Sequence, residues 1–86
     1  MRMEALRKEI DGIDRDIVRL LTRRARKAVT IGREKRKREL PVIDATREAQ
    51  VLARVCNLNA GPISGAGLKA IYRTIVKECA RLQARP

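Results

Sequence analysis

Residues 5–24 read ALRKEIDGIDRDIVRLLTRR. Within them Leu6, Ile10, Ile13, Ile17 and Leu20 recur at spacings of 4, 3, 4 and 3. That period places all five on one face of an α-helix, as a heptad-like stripe. No proline occurs between Met3 and Arg38, so one helix is expected over that whole span. At 1.5 Å per residue it is about 50 Å long. The chain has 86 residues, which is one domain, 1–86. So short a chain buries a modest fraction of its surface, and it cannot fold back far enough to cover such a stripe. A second copy supplies the cover at least cost. The expectation is an all-α fold, with three helices per chain in an intertwined helical homodimer.

The rest of the chain fits that frame. Pro41 is expected to end the first helix, with Leu40 before it biased toward extended geometry. A second helix is predicted from about Asp44 to Leu58, with Val51, Leu52 and Val55 on its inner face. Asn59, Gly61, Pro62 and Gly65 mark a loop. A third helix follows, beginning at Ile63 or at Gly67 and reaching Ala84. Its stripe is Leu68, Ile71, Tyr72, Ile75, Cys79 and Leu82. Tyr72 is the only aromatic residue, and the apolar content is otherwise aliphatic. That composition suits helix packing better than sheets, which favour β-branched and aromatic residues.

The chain carries 21 basic and 10 acidic residues, a net charge of +11. An anionic partner is implied, but nucleic acid, a membrane surface and a small polyanion all satisfy the sign. Arginine dominates the bases, which reflects either composition bias or recognition of carboxylates by planar forks. Cys56 and Cys79 have no metal-type spacing and read as reduced thiols. No apolar run approaches the length of a membrane span, and residues 1–10 lack a signal-peptide core. A cytoplasmic protein is expected.

Continued past Leu20, the first stripe meets Arg24, Ala28, Ile31 and Lys35. Arg24 and Lys35 are eleven residues apart, about three turns, so they share a face. A cation on a core stripe is costly unless it is paired. The small residues Ala28 and Gly32 lie between them, and Gly32 costs about 1 kcal/mol relative to alanine inside a helix. Two readings stay open. Long basic side chains snorkel off the helix edge, or a pocket with a cation at each end accepts an elongated dianion in the space the small residues leave. Arg7 lies 17 residues before Arg24, about 25 Å along the same helix. The two cannot grip one small molecule unless Arg7 comes from an antiparallel partner chain.

Asp44 and Glu48 stand at i and i+4, on one helix face. Asp44 suits an N-cap, and Glu48 suits the positive end of the helix. Either also suits a ligand hydroxyl, or a pairing with Lys35 or Arg24. Cys79 and Gln83 are spaced the same way on the third helix. There a buried thiol and a polar helix end account for them without a functional role.

Arg7, Arg24, Lys35, Asp44, Arg47, Glu48, Cys79 and Gln83 nonetheless form an ordered set. With the segments IGREK (31–35), PVIDATREAQVL (41–52) and IVKECARLQ (75–83), it resembles the all-α class of chorismate mutases over nearly the whole chain. The most specific part is P-V-x-D-x-x-R-E after a basic helix bearing x-G-x-x-K. The resemblance implies an intertwined dimer with two active sites shared between chains. It implies the rearrangement of chorismate to prephenate in aromatic amino acid biosynthesis. Carried over by position, Arg24 and Arg7 of the partner subunit bind the substrate carboxylates. Lys35 and Gln83 donate to the ether oxygen. Asp44 and Glu48 hold the ring hydroxyl region, with Glu48 also orienting the substrate and Arg47 organising the acidic pair. The family usually has Ser or Thr where Cys79 stands. A thiol is a poor donor, so the carboxylate contact implied there is weakened.

The rearrangement the resemblance implies is unimolecular. It needs no cofactor, no metal, no nucleophile and no proton transfer, which suits a chain without histidine or a metal cluster. Isochorismate-pyruvate lyase, of the same fold, is the nearest alternative. A basic helical nucleic-acid binder is a remoter one. Residues 23–38 hold nine bases and one acid, which suits phosphate contacts, but one tyrosine leaves almost nothing for base stacking. A third alternative, a helical module that keeps the fold without activity, gives no reason for cations on a core stripe. No specific nucleic-acid or membrane partner is expected.

Overall fold

A computed structural model of the chain describes residues 2–85, which form three α-helices. Helix α1 spans Arg2–Lys37, α2 spans Ala45–Leu58 and α3 spans Gly65–Gln83. The described chain measures 56 × 24 × 15 Å. Its long axis is α1 itself, whose 36 residues extend about 54 Å at 1.5 Å each. Helix α3 is the middle element and packs against both α1 and α2. Among the described residues, none of the helices is long and apolar enough to cross a membrane.

The ends of the helices follow from local chemistry. Helix α1 stops at Lys37, short of Pro41. Glu39 enters the left-handed region with φ 56°. The Leu40 N–H then donates to the Lys35 carbonyl at 2.8 Å, and the Glu39 N–H donates to the Arg36 carbonyl at 3.2 Å. These two bonds form a Schellman-type stop, with glutamate where glycine is usual. The expectation that Pro41 ends the helix therefore needs correction, since the turn at 38–39 ends it first. Asp44 caps α2, its side chain accepting from the Arg47 N–H at 3.0 Å. Ser64 caps α3 by accepting from the Gly67 N–H at 3.0 Å. The third helix thus starts at Gly65, between the two expected positions. Asn59 ties the intervening loop, accepting from the Gly61 N–H and donating to the Ile63 carbonyl.

The core of one chain is thin. Ala28, Gly32, Val51, Val55 and Cys79 are buried, and among the described residues no large side chain is fully enclosed. By contrast Leu6, Ile10, Ile13, Ile17 and Leu20 are 47–57% exposed. Burying a Leu or Ile side chain contributes about 1.5–3 kcal/mol. The uncovered stripe on α1 therefore holds more apolar stabilisation than the small side chains of the chain's own core. The C-terminal half of α1 serves its own chain, while the N-terminal half projects with its apolar face open.

Candidate active site

A cleft of about 290 Å³ opens where the C-terminal half of α1, the start of α2 and the end of α3 converge. That lies at the small end for ligand pockets, which run from roughly 300 to 1,000 Å³. Seven of the eight singled-out residues line it: Arg24, Lys35, Asp44, Arg47, Glu48, Cys79 and Gln83. Arg7 does not. It sits exposed on the projecting half of α1, about 25 Å from Arg24 along the helix.

Arg24 and Lys35 mark two ends of the cleft floor, with Ala28 and Ile31 between them. Both cations are half-buried, and each is held by α3. The Arg24 guanidinium donates to Cys79 Sγ at 3.0 Å. The thiol, a poor donor, here serves as an acceptor that steadies a cation. Lys35 Nζ donates to the Val42 carbonyl at 2.7 Å and to Gln83 Oε1 at 2.8 Å. An ammonium has three donors and no acceptor. One Lys35 N–H therefore stays available, and Gln83 must turn its oxygen toward Lys35. The Gln83 amide nitrogen is left with both hydrogens free of partners among the described residues. Two donors thus sit side by side on one wall.

The acidic side differs from one of the sequence readings. Asp44 and Glu48 both line the cleft, but among the described residues neither forms an ion pair with Lys35, Arg24 or Arg47. Asp44 commits one oxygen, Oδ1, to its cap. Arg47 meets Asp44 through its backbone N–H, not its guanidinium. Glu48 is half-buried and keeps its carboxylate lone pairs for whatever enters.

Gly32 also needs correction. The space beside it is not room for a ligand. A Cβ there would lie 2.6 Å from the Gln83 carbonyl oxygen and 2.7 Å from Gln83 Cα. Glycine lets the backbones of α1 and α3 meet, and this contact delivers Gln83 to the cleft. Of the two small residues, only Ala28 lines the opening.

Sequence reasoning missed Lys27 and the Val42 carbonyl. Lys27 lines the cleft, and its place three residues after Arg24, on the edge of the same face, was the available signal. A backbone carbonyl leaves no signal in side-chain identity. With Lys27 counted, four cations face two carboxylates around the opening, a balance that favours an anion. Among the described residues, no group of three or more Cys, Asp or Glu side chains is placed to hold a metal ion.

Comparison with known proteins places this geometry. The family model for chorismate mutase type II matches residues 6–84. The bifunctional chorismate mutase/prephenate dehydratase of Aquifex aeolicus is 38% identical over 87 residues, covering 96% of this chain and 24% of that protein. The corresponding Pseudomonas aeruginosa protein is 33% identical, covering 95% of this chain and 24% of its own. The chain thus spans about a quarter of the length of the curated relatives it matches. Among solved structures, chorismate mutase (Form II) from Thermus thermophilus superposes with a TM-score of 0.97. It is 36% identical, and the match covers 99% of this chain and 97% of that one. Form I from the same organism gives a TM-score of 0.89 at 37% identity, over 92% and 99%.

Proposed function

Because the chain belongs to the chorismate mutase type II family, we propose that it converts chorismate to prephenate within a homodimer whose two clefts are each completed by the other chain. The observation that carries this reading is the cleft itself. Cations stand at both ends of its floor, and Lys35 and Gln83 form a paired donor wall beside them.

The reaction rearranges one molecule without changing its composition. The ether C–O bond breaks as a C–C bond forms from the side chain to the ring, and negative charge gathers on the ether oxygen in between. A protein helps in two ways. It holds the folded conformer, which lowers the barrier through orientation. It also places donors where charge develops. Arg24 takes one substrate carboxylate and Arg7 of the partner subunit takes the other. The third N–H of Lys35 and the amide of Gln83 donate to the ether oxygen. Glu48 and Asp44 accept from the ring hydroxyl, and Glu48 fixes how the ring lies.

The exposed stripe from Leu6 to Leu20 supports the dimer, because it leaves an apolar face that this chain does not cover. An antiparallel α1 packed there carries Arg7 of the partner subunit toward the open side of the cleft. The work of this dimer is assigned to the cytoplasm, in aromatic amino acid biosynthesis.

The deciding experiment follows the loss of chorismate absorbance with purified protein and identifies the product by chromatography. Prephenate is expected. Pyruvate released from isochorismate, with chorismate untouched, would move the protein to the lyase chemistry of the same fold. Inactivity toward both substrates would overturn the enzyme reading.

A further inference from the structure

The last turn of α3 would ordinarily be the loosest part of that helix. Its final carbonyls have no partner within the helix, and helix ends fray. Gln83 is the last residue of α3, so a donor that must hold its aim sits at a frayed end. The structure shows what steadies it. Gly32, Lys35 and Arg36 stand at i, i+3 and i+4 on α1, on one face, and each touches a different part of Gln83. Gly32 lies against its backbone. Lys35 Nζ holds its Oε1 at 2.8 Å. The Arg36 guanidinium donates to the Gln83 carbonyl at 3.1 Å and to the Arg85 carbonyl at 2.7 Å.

We infer that Arg36 is a positioning residue for the reaction proposed above, acting through Gln83 by clamping the carbonyls at the end of α3. Arg36 does not line the cleft, and among the described residues its guanidinium reaches only backbone carbonyls. It fills two acceptors that would otherwise turn to water, and its charge sits at the negative end of the α3 dipole. The side-chain amide of Gln83 is then fixed from both ends, by Lys35 at the oxygen and by Arg36 at the backbone. This inference rests on the proposed mutase activity only for its consequence in turnover. The clamp itself is a property of the free protein.

The test compares Arg36→Ala, Gln83→Ala and the double variant in the full chain, with Arg36→Gln as a neutral donor at the same site. In the wild-type background, Arg36→Ala is expected to lower kcat about tenfold, with KM within about twofold, because small misplacements of a catalytic group carry large rate penalties. Arg36→Gln is expected to regain most of that loss. In the Gln83→Ala background, Arg36→Ala is expected to cost nothing further, since the group it positions is gone. A purely structural role would cost the same factor in both backgrounds, and that outcome overturns the inference. So does an unchanged kcat in Arg36→Ala. Amide hydrogen exchange over residues 80–84, read without substrate, is expected to quicken in Arg36→Ala and recover in Arg36→Gln. No change in exchange rejects the clamp even if wild-type protein proves inactive on chorismate. Inactive wild-type protein with quickened exchange would instead reject the mutase reading and leave the clamp standing.

Discussion

Replacing Gly32 by alanine tests the packing that builds the cleft. Inside a helix this change ordinarily stabilises by about 1 kcal/mol, since alanine is the better helix former. Here the new Cβ would sit 2.6 Å from the Gln83 carbonyl oxygen and 3.0 Å from its carbonyl carbon. Both are backbone atoms, so no side chain can swing away. The end of α3 must retreat by roughly 0.8 Å to reach ordinary contact, and closely packed interiors absorb such shifts poorly. Overpacking of this kind costs about 1–3 kcal/mol. Set against the gain in helix propensity, the expected result is a loss of up to about 2 kcal/mol. In the proposed mechanism the same retreat carries Gln83 away from the ether oxygen, and a displacement near 1 Å lowers turnover on the order of 100-fold.

Gly12 supplies the control within the same helix. Among the described residues a Cβ there meets only the Arg15 guanidinium, at 3.7 Å. Gly12→Ala is expected to stabilise by about 1 kcal/mol and to leave turnover unchanged. Stability is read by urea denaturation at matched protein concentration, because the stability of a dimer depends on concentration. Turnover is read as kcat on chorismate. If both substitutions stabilise and neither slows the reaction, the close approach of α1 to Gln83 is refuted.

Three further outcomes are expected. Lys35→Ala removes a donor worth about 3–4 kcal/mol in the transition state and should abolish most turnover while circular dichroism and sedimentation report a folded dimer; unchanged turnover would remove Lys35 from the mechanism. Arg7→Ala and Arg24→Ala should each be nearly inactive, yet refolded together in equal amounts they should recover roughly a quarter of wild-type activity, because half the dimers are mixed and each mixed dimer holds one intact shared site; no recovery would mean that Arg7 does not act across the interface. Glu39→Gly should raise stability by about 0.5–1 kcal/mol, since φ 56° strains a residue with a Cβ by about 1–2 kcal/mol and glycine returns part of that through its freer unfolded chain; a lower denaturation midpoint would contradict the strained stop at the end of α1.

Those parts of the fold and site that rest on local periodicity were legible in the sequence. The stripe from Leu6 to Leu20 marked α1 as a helix and the proline-free span from Met3 to Arg38 set its length, and Arg24 and Lys35 were conspicuous because a charge on an apolar stripe needs a reason. Asp44 was readable as a cap from its place before a helix. What depends on a residue far along the chain was not readable. Gly32 looked like room for a ligand because the backbone that fills the space belongs to Gln83, fifty-one positions later. Arg36 lies in the run of bases at 23–38 that suits phosphate contacts, and nothing local marks it as the base whose guanidinium reaches the backbone at the end of α3. Lys35 was found as a cation, but its hold on the Val42 carbonyl was invisible, because a backbone acceptor has no residue type.

The two halves of α1 do different work, and a rigid helix is what allows it. The C-terminal half packs on α3 and carries Arg24 and Lys35 into the chain's own cleft. The N-terminal half carries an uncovered apolar stripe and Arg7. In the proposed dimer, the stripe and Arg7 serve the other copy. The offset between Arg7 and Arg24 is then a ruled distance of about 25 Å, set by hydrogen bonds along one helix rather than by a loop. On that proposal a lone chain lacks a carboxylate partner in its cleft and leaves the stripe from Leu6 to Leu20 about half exposed. In that dimer, association completes the core and the site in one step. The proposed economy fits the few small side chains that the described residues bury by themselves.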